Sequence, residues 1–168
     1  MTSDEHEPYP VRIERTFAAA AATVFDAWTS VEVLRRWWPA GPGWETPVAD
    51  VDIRVGGRLR LVMRAPDGTE FGGEGRYVEI IRPTRLVFTW RWDAVQLGTQ
   101  SQLVEITFTE NADATTTVVL VNRGLTESEE QSHREGWRAS FDNLDDILAR
   151  SQAEHAAAGE AASPSAQP

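Results

Sequence analysis

The feature that most constrains this chain is an apolar stripe near its C-terminal end. Trp137, Phe141, Leu144 and Leu148 follow one another at spacings of 4, 3 and 4, which places them on one face of a helix. The helix start is marked by Thr126-Glu127-Ser128-Glu129, a capping box in which a hydroxyl and a carboxylate satisfy free backbone N–H groups. Glu127, Glu129 and Glu130 suit the positive end of the helix dipole. The pattern predicts a helix to about Ala149, roughly 23 residues or ~35 Å at 1.5 Å per residue. His133 sits one turn before Trp137 on the same side. A stripe of that length has to be buried, and an antiparallel sheet is the surface on which it can lie.

The preceding residues supply such a sheet. Val11–Phe17 alternates apolar with polar and reads as a first strand. Val24, Phe25 and Trp28 have helical spacing, and Ser30 is a good N-cap for a second short helix over Val31–Trp37 that stops near Pro39. Residues 39–44, rich in Pro and Gly, form a loop. Val48–Ile53, Arg58–Arg64, Glu70–Ile81, Arg85–Trp92, Gln102–Glu110 and Thr115–Arg123 read as strands joined by short links, a meander. Asp67-Gly68 supplies the turn residues of one hairpin. The expected fold is α+β: a curved antiparallel sheet of about six to seven strands, two short helices and one long C-terminal helix.

Residues 1–10 read as a flexible lead-in and residues 11–150 as the single domain. Residues 151–168, rich in Ala, Ser and Pro, lack the aromatic and β-branched residues needed to offset ordering entropy and read as a disordered tail.

Composition removes most familiar chemistry. There is no cysteine, hence no thiol nucleophile, disulfide or thiolate metal site. All 16 cations are arginine, which excludes a Schiff-base lysine and a phosphate-loop lysine. Of three histidines only His133 falls in the folded part, too few for a multi-histidine metal site. No cofactor or metal is expected. A net charge of −10 opposes binding to nucleic acid and to anionic membrane surfaces. No apolar run approaches the ~20 residues of a membrane span, and the acidic N-terminus has no apolar signal region, so a cytoplasmic location is expected.

The segments Phe25-Asp26-Ala27-Trp28-Thr29, Leu34-Arg35-Arg36-Trp37-Trp38-Pro39 and Val51-Asp52-Ile53-Arg54-Val55-Gly56-Gly57-Arg58 resemble the first half of bacterial domains similar to the activator of heat-shock protein 90 ATPase. The resemblance continues in Asp67-Gly68-Thr69-Glu70-Phe71, in Arg82-Pro83-Thr84-Arg85-Leu86-Val87-Phe88-Thr89-Trp90 and in Gly136-Trp137, and covers about residues 11–150. It implies the START-like, or SRPBCC, superfamily. That in turn implies a helix-grip fold with a hydrophobic cavity between sheet and C-terminal helix, in which relatives hold lipids, sterols, polyketides and other apolar molecules. Where many relatives have a histidine this chain has Asn122, so no role tied to that histidine carries over.

The expected cavity lining is Trp37, Met63, Phe71, Tyr77, Phe88, Trp90, His133 and Trp137. Trp37 and Trp38 are adjacent on a helix and cannot both face one direction, so one of them closes the cavity mouth or both simply pack the helix end; Trp44 in the loop reads as a lid or as a cover over the core. Gly73 and Gly75 inside a strand signal sheet curvature or room for a ligand, and a bulge beside them would shift the parity of Tyr77. Glu74, Glu79 and Glu105 belong on the outer face; one turned inward would be a candidate general base.

Three function classes follow. The first is binding of an apolar or aromatic small molecule in the cavity, without catalysis. The second is a cyclase- or hydrolase-like enzyme in the same cavity, which needs an inward carboxylate or histidine pair; His133 is the one candidate, and no Gly-x-Ser-x-Gly elbow exists. The third is a co-chaperone that stimulates a heat-shock protein 90 ATPase, by family analogy alone. Exposed apolar residues on a helix or strand edge would support a homodimer.

Overall fold

The computed structural model describes residues 10–39, 41–94 and 100–161. Seven strands form one antiparallel sheet: β1 (Val11–Phe17), β2 (Glu45–Val51), β3 (Arg58–Arg64), β4 (Glu70–Ile81), β5 (Arg85–Trp92), β6 (Gln102–Glu110) and β7 (Thr116–Arg123). Two short helices, α1 (Ala21–Thr29) and α2 (Val31–Trp37), follow β1, and α3 (Glu127–Ala161) closes the described chain. The sheet order is β1-β7-β6-β5-β4-β3-β2, a meander from β2 to β7 with β1 returned to the far edge. The architecture is the curved sheet with a long C-terminal helix that the strand alternation and the helical stripe imply.

Alternation sets the two faces. Val104, Ile106 and Phe108 of β6 and Val118 and Leu120 of β7 point inward and share one buried core with Phe141, Leu144 and Leu148 of α3; Phe108 packs there against Phe25 and Trp28 of α1. The outer face carries arginines, several of them paired with carboxylates: Arg58 with Glu74, Arg60 with Asp93, Arg64 with Glu70, and Arg85 with both Glu79 and Glu105. Arg15 of β1 reaches Asp142 of α3 at 2.6 Å and ties helix to sheet edge.

Three local expectations are corrected. The capping box forms by its carboxylate half: Thr126 N–H donates to Glu129 Oε2 at 2.9 Å, whereas the Thr126 hydroxyl pairs with Ser128 Oγ. Ser30 occupies the N-cap of α2 without a side-chain capping bond. Most conspicuously, α3 runs on to Ala161 rather than ending near Ala149. Leu148 is its last buried residue, yet Arg, Gln, Glu and Ala beyond it are strong helix formers, so propensity continues the helix where burial has stopped. The tail expected at 151–168 is therefore helical over 151–161; the lead-in over 1–9 and residues 162–168 lie outside the described residues. Among the described residues no helix is long and apolar enough to cross a membrane.

Candidate functional site

The apolar stripe of α3 is fully buried at Phe141 and Leu144 and borders open space at its N-terminal half. There, between α3 and the ends of β3 to β7, lies a cavity of about 270 Å³. Its position follows from strand register. Met63 pairs with Phe71 across β3 and β4, and Gly73 with Trp92 across β4 and β5, so the aromatics at these strand ends share one inward parity. Five of the seven tryptophans line it: Trp38, Trp44, Trp90, Trp92 and Trp137.

The sequence-derived candidates divide. Met63, Phe71, Phe88, Trp90, His133 and Trp137 all stand on the cavity wall. Trp37 does not. It is fully buried beneath, its indole N–H donates to the Ala27 carbonyl at 2.8 Å, and its ring meets Trp28 edge-on at 4.6 Å. The neighbour Trp38 faces the cavity instead. The choice is made by α3: Ser140 Oγ–H donates to the Trp38 carbonyl at 3.0 Å and Asn143 Nδ2 to that of Pro39 at 2.6 Å. These bonds satisfy carbonyls left free at the C-terminal end of α2 and fix its rotation. Trp38 then sits 5.7 Å from Trp90 and 5.4 Å from Trp137.

Tyr77 is the second correction. It faces inward, with a register shift between Tyr77 and Glu79, but it lies six residues along β4 from Phe71, about 20 Å at ~3.3 Å per residue. It packs edge-on against Phe88, away from the cavity, and burial pushes its hydroxyl pKa well above the usual tyrosine range. Gly73 and Gly75 make room, though for protein. A Cβ on Gly73 would strike the Trp90 ring, and one on Gly75 would strike the Thr89 carbonyl oxygen of β5. Trp44 stacks on Phe71 at 5.7 Å and lines the cavity from its loop.

Sequence reasoning missed a polar strip on the wall. Trp137 Nε1–H donates to Asn122 Oδ1 at 3.0 Å, and Asn122 Nδ2 donates to Gln102 Oε1 at 3.1 Å. Gln102 Nε2 meets His133 Nε2 at 3.2 Å, which also receives the Trp92 Nε1–H at 3.1 Å; His133 Nδ1 meets the Glu129 carbonyl at 2.9 Å. An indole N–H only donates and a carbonyl only accepts, so every direction in the chain is forced. In that arrangement the His133 ring carries its proton on Nδ1, and the Trp92 and Gln102 N–H groups share the single lone pair of Nε2. The signal was present in the alternation. Gln102 has the inward parity of Val104, Ile106 and Phe108, and Asn122 that of Val118 and Leu120. Both are 3% exposed or less, and a polar residue on an apolar parity implies a partner.

Among the described residues no carboxylate and no arginine lines the cavity. Glu105, with Glu74 and Glu79 the candidate inward bases, stays outside, where Arg123 and then Arg85 hold its carboxyl below the usual range. Both His133 nitrogens are taken by protein groups. Among the described residues the wall offers apolar surface and a few hydrogen-bonding groups, with no carboxylate beside His133.

A family model described as Activator of Hsp90 ATPase homolog 1-like protein matches residues 18–149. Solved structures share the fold. A protein from Chromobacterium violaceum is 25% identical with a TM-score of 0.75, over 83% of this chain and 96% of its own. The AHSA1 protein from Silicibacter pomeroyi is 26% identical with a TM-score of 0.71, over 85% and 99%. A protein from Arthrobacter aurescens, at 21% identity and a TM-score of 0.73 over 84% and 86%, shows likeness of fold alone. No curated protein matches the chain.

Proposed function

The chain belongs to the Activator of Hsp90 ATPase homolog 1-like family, and on that premise we propose that it binds a small apolar or aromatic molecule in the cavity between α3 and the sheet. The observation that carries this reading is the set of five indoles around an unfilled space of about 270 Å³. Cores normally fill to crystal-like density, whereas a concave, mostly apolar hollow with a few polar groups on its wall is the usual form of a small-molecule site. An apolar cavity of about 150 Å³ takes benzene, so this one suits roughly two fused rings. About 12 ligand atoms at roughly 0.5 kcal/mol each give ~6 kcal/mol, a Kd of tens of micromolar.

The enzyme reading lacks support from the wall chemistry described above, and the co-chaperone reading has the family description alone behind it. Titration of the protein with 2-ethylnaphthalene, followed by calorimetry and by tryptophan emission, tests the binding reading. Saturable one-to-one heat with a change in indole emission is expected. No heat and no emission change up to the solubility limit, repeated with monocyclic and tricyclic hydrocarbons, would overturn it.

A further inference from the structure

The polar atoms of the cavity wall are unequal in kind, and their imbalance specifies the occupant. The amide of Gln102 cannot flip: its oxygen is held as acceptor by Asn122 and its nitrogen as donor by His133. One Gln102 amide hydrogen is spent on His133, and among the described residues the other has no protein acceptor. The indole N–H groups of Trp38 and Trp90, both on the cavity wall, likewise have no protein acceptor among the described residues, although neither is sealed from solvent as that of Trp28 is. The hydroxyls of Ser132 and Ser140 donate to the backbone carbonyls of Glu129 and Trp38. What remains on the acceptor side is spare lone pairs on oxygens that already take part in one hydrogen bond: the two serine hydroxyls and the amide oxygens of Asn122 and Gln102. A half-used oxygen is common in protein interiors, whereas an N–H with no partner at all becomes costly once a ligand displaces the water that reaches it. The wall therefore has a surplus of donors. Among the described residues it also has no charged group to balance an ion, and an ionised ligand would lose its hydration without compensation.

We propose that the occupant is an uncharged, two-ring aromatic molecule bearing a hydrogen-bond acceptor such as a ketone carbonyl, and that Gln102 is the residue that engages that acceptor. This rests on the cavity being a ligand site. It adds the ligand's polarity, and it excludes carboxylic acids, which an oily cavity alone would not.

Three probes of near-equal size separate the two claims: 2-acetylnaphthalene with an acceptor, 2-ethylnaphthalene with none, and 2-naphthoate with a charge. Equilibrium dialysis is expected to show 2-acetylnaphthalene bound at least about fivefold more tightly than 2-ethylnaphthalene, the effect of one net hydrogen bond. The naphthoate anion is expected to bind at least tenfold more weakly than the ketone. In Gln102→Met the preference for the ketone over the ethyl compound should fall below twofold while 2-ethylnaphthalene still binds. Because that variant also removes partners of Asn122 and His133, the infrared carbonyl band of 2-acetylnaphthalene bound to the unaltered protein gives an independent readout. A band lowered relative to its position in hydrocarbon solvent is expected. Equal affinities with an unshifted band, or tight binding of the naphthoate, would overturn this inference and leave the binding site standing. A ketone preference that survives in Gln102→Met would overturn the role of Gln102. Failure of all three probes to bind would overturn the site itself.

Discussion

Trp92 donates its indole N–H to Nε2 of His133, 41 residues away in sequence, at 3.1 Å. Because an indole nitrogen has no lone pair to offer, this one contact decides which imidazole nitrogen carries the proton. Imidazole nitrogen NMR should show the neutral ring of His133 protonated on Nδ1, with the signals assigned by their loss in His133→Phe. Trp92→Phe, which keeps a ring but removes the donor, should raise the share of the Nε2–H form. A neutral ring protonated mainly on Nε2 in the unaltered protein would contradict the polar chain from Trp137 to Glu129.

Asn122 joins that chain in the middle, 1% exposed. Asn122→Leu leaves the Trp137 N–H without its acceptor and Gln102 Oε1 without its donor. A loss of about 2–4 kcal/mol in urea unfolding is expected, from two buried groups at about 1–3 kcal/mol each. Asn122→His retains one donor and one acceptor in its neutral ring. It should lose less than half as much.

Adjacent tryptophans should respond oppositely. Trp37→Phe gives up the bond to the Ala27 carbonyl and is expected to cost about 1–3 kcal/mol while leaving 2-ethylnaphthalene affinity within twofold. Trp38→Phe alters the cavity wall and should change that affinity more than twofold, at a stability cost below about 1.5 kcal/mol. Denaturation and calorimetry on the two variants check the division.

The strand glycines differ in what blocks a side chain. The obstacle at Gly73 is the Trp90 ring, which can swing into the cavity; at Gly75 it is the backbone of β5, which cannot yield. Gly73→Ala is expected to cost about 1–3 kcal/mol and to weaken ligand binding by shrinking the cavity. Gly75→Ala should cost more, at or above about 3 kcal/mol, in thermal unfolding.

Tyr77 makes stability depend on alkaline pH. Burial raises the pKa of its hydroxyl in the folded protein above the ~10 of an unfolded tyrosine. The unfolded chain therefore loses its proton first. The contribution is complete below about pH 10 and is lost as pH rises beyond it. Urea midpoints measured at about pH 8 and about pH 11 should drop further for the unaltered protein than for Tyr77→Phe.

The order of elements, the inward parity of β6 and β7, the outward arginines and the α3 stripe were all legible in the sequence. Each depends on backbone periods of 2 and 3.6 residues, which leave their trace within a few neighbouring positions. Met63, Phe71, Phe88, Trp90, His133 and Trp137 could be placed on the cavity side by the same rule. Tyr77 shares that parity but lies six residues beyond Phe71 along β4 and packs against Phe88 instead of the cavity, which only the packed structure decides. Trp37 and Trp38 could be separated only by the bonds that Ser140 and Asn143 make to the end of α2, more than 100 residues away. Gln102, Asn122 and His133 became a chain of fixed direction only when strands and helix brought two indole donors to them. Local geometry chooses the face of an element. The partner of a buried polar group is chosen by whatever the rest of the chain puts within about 3 Å of it.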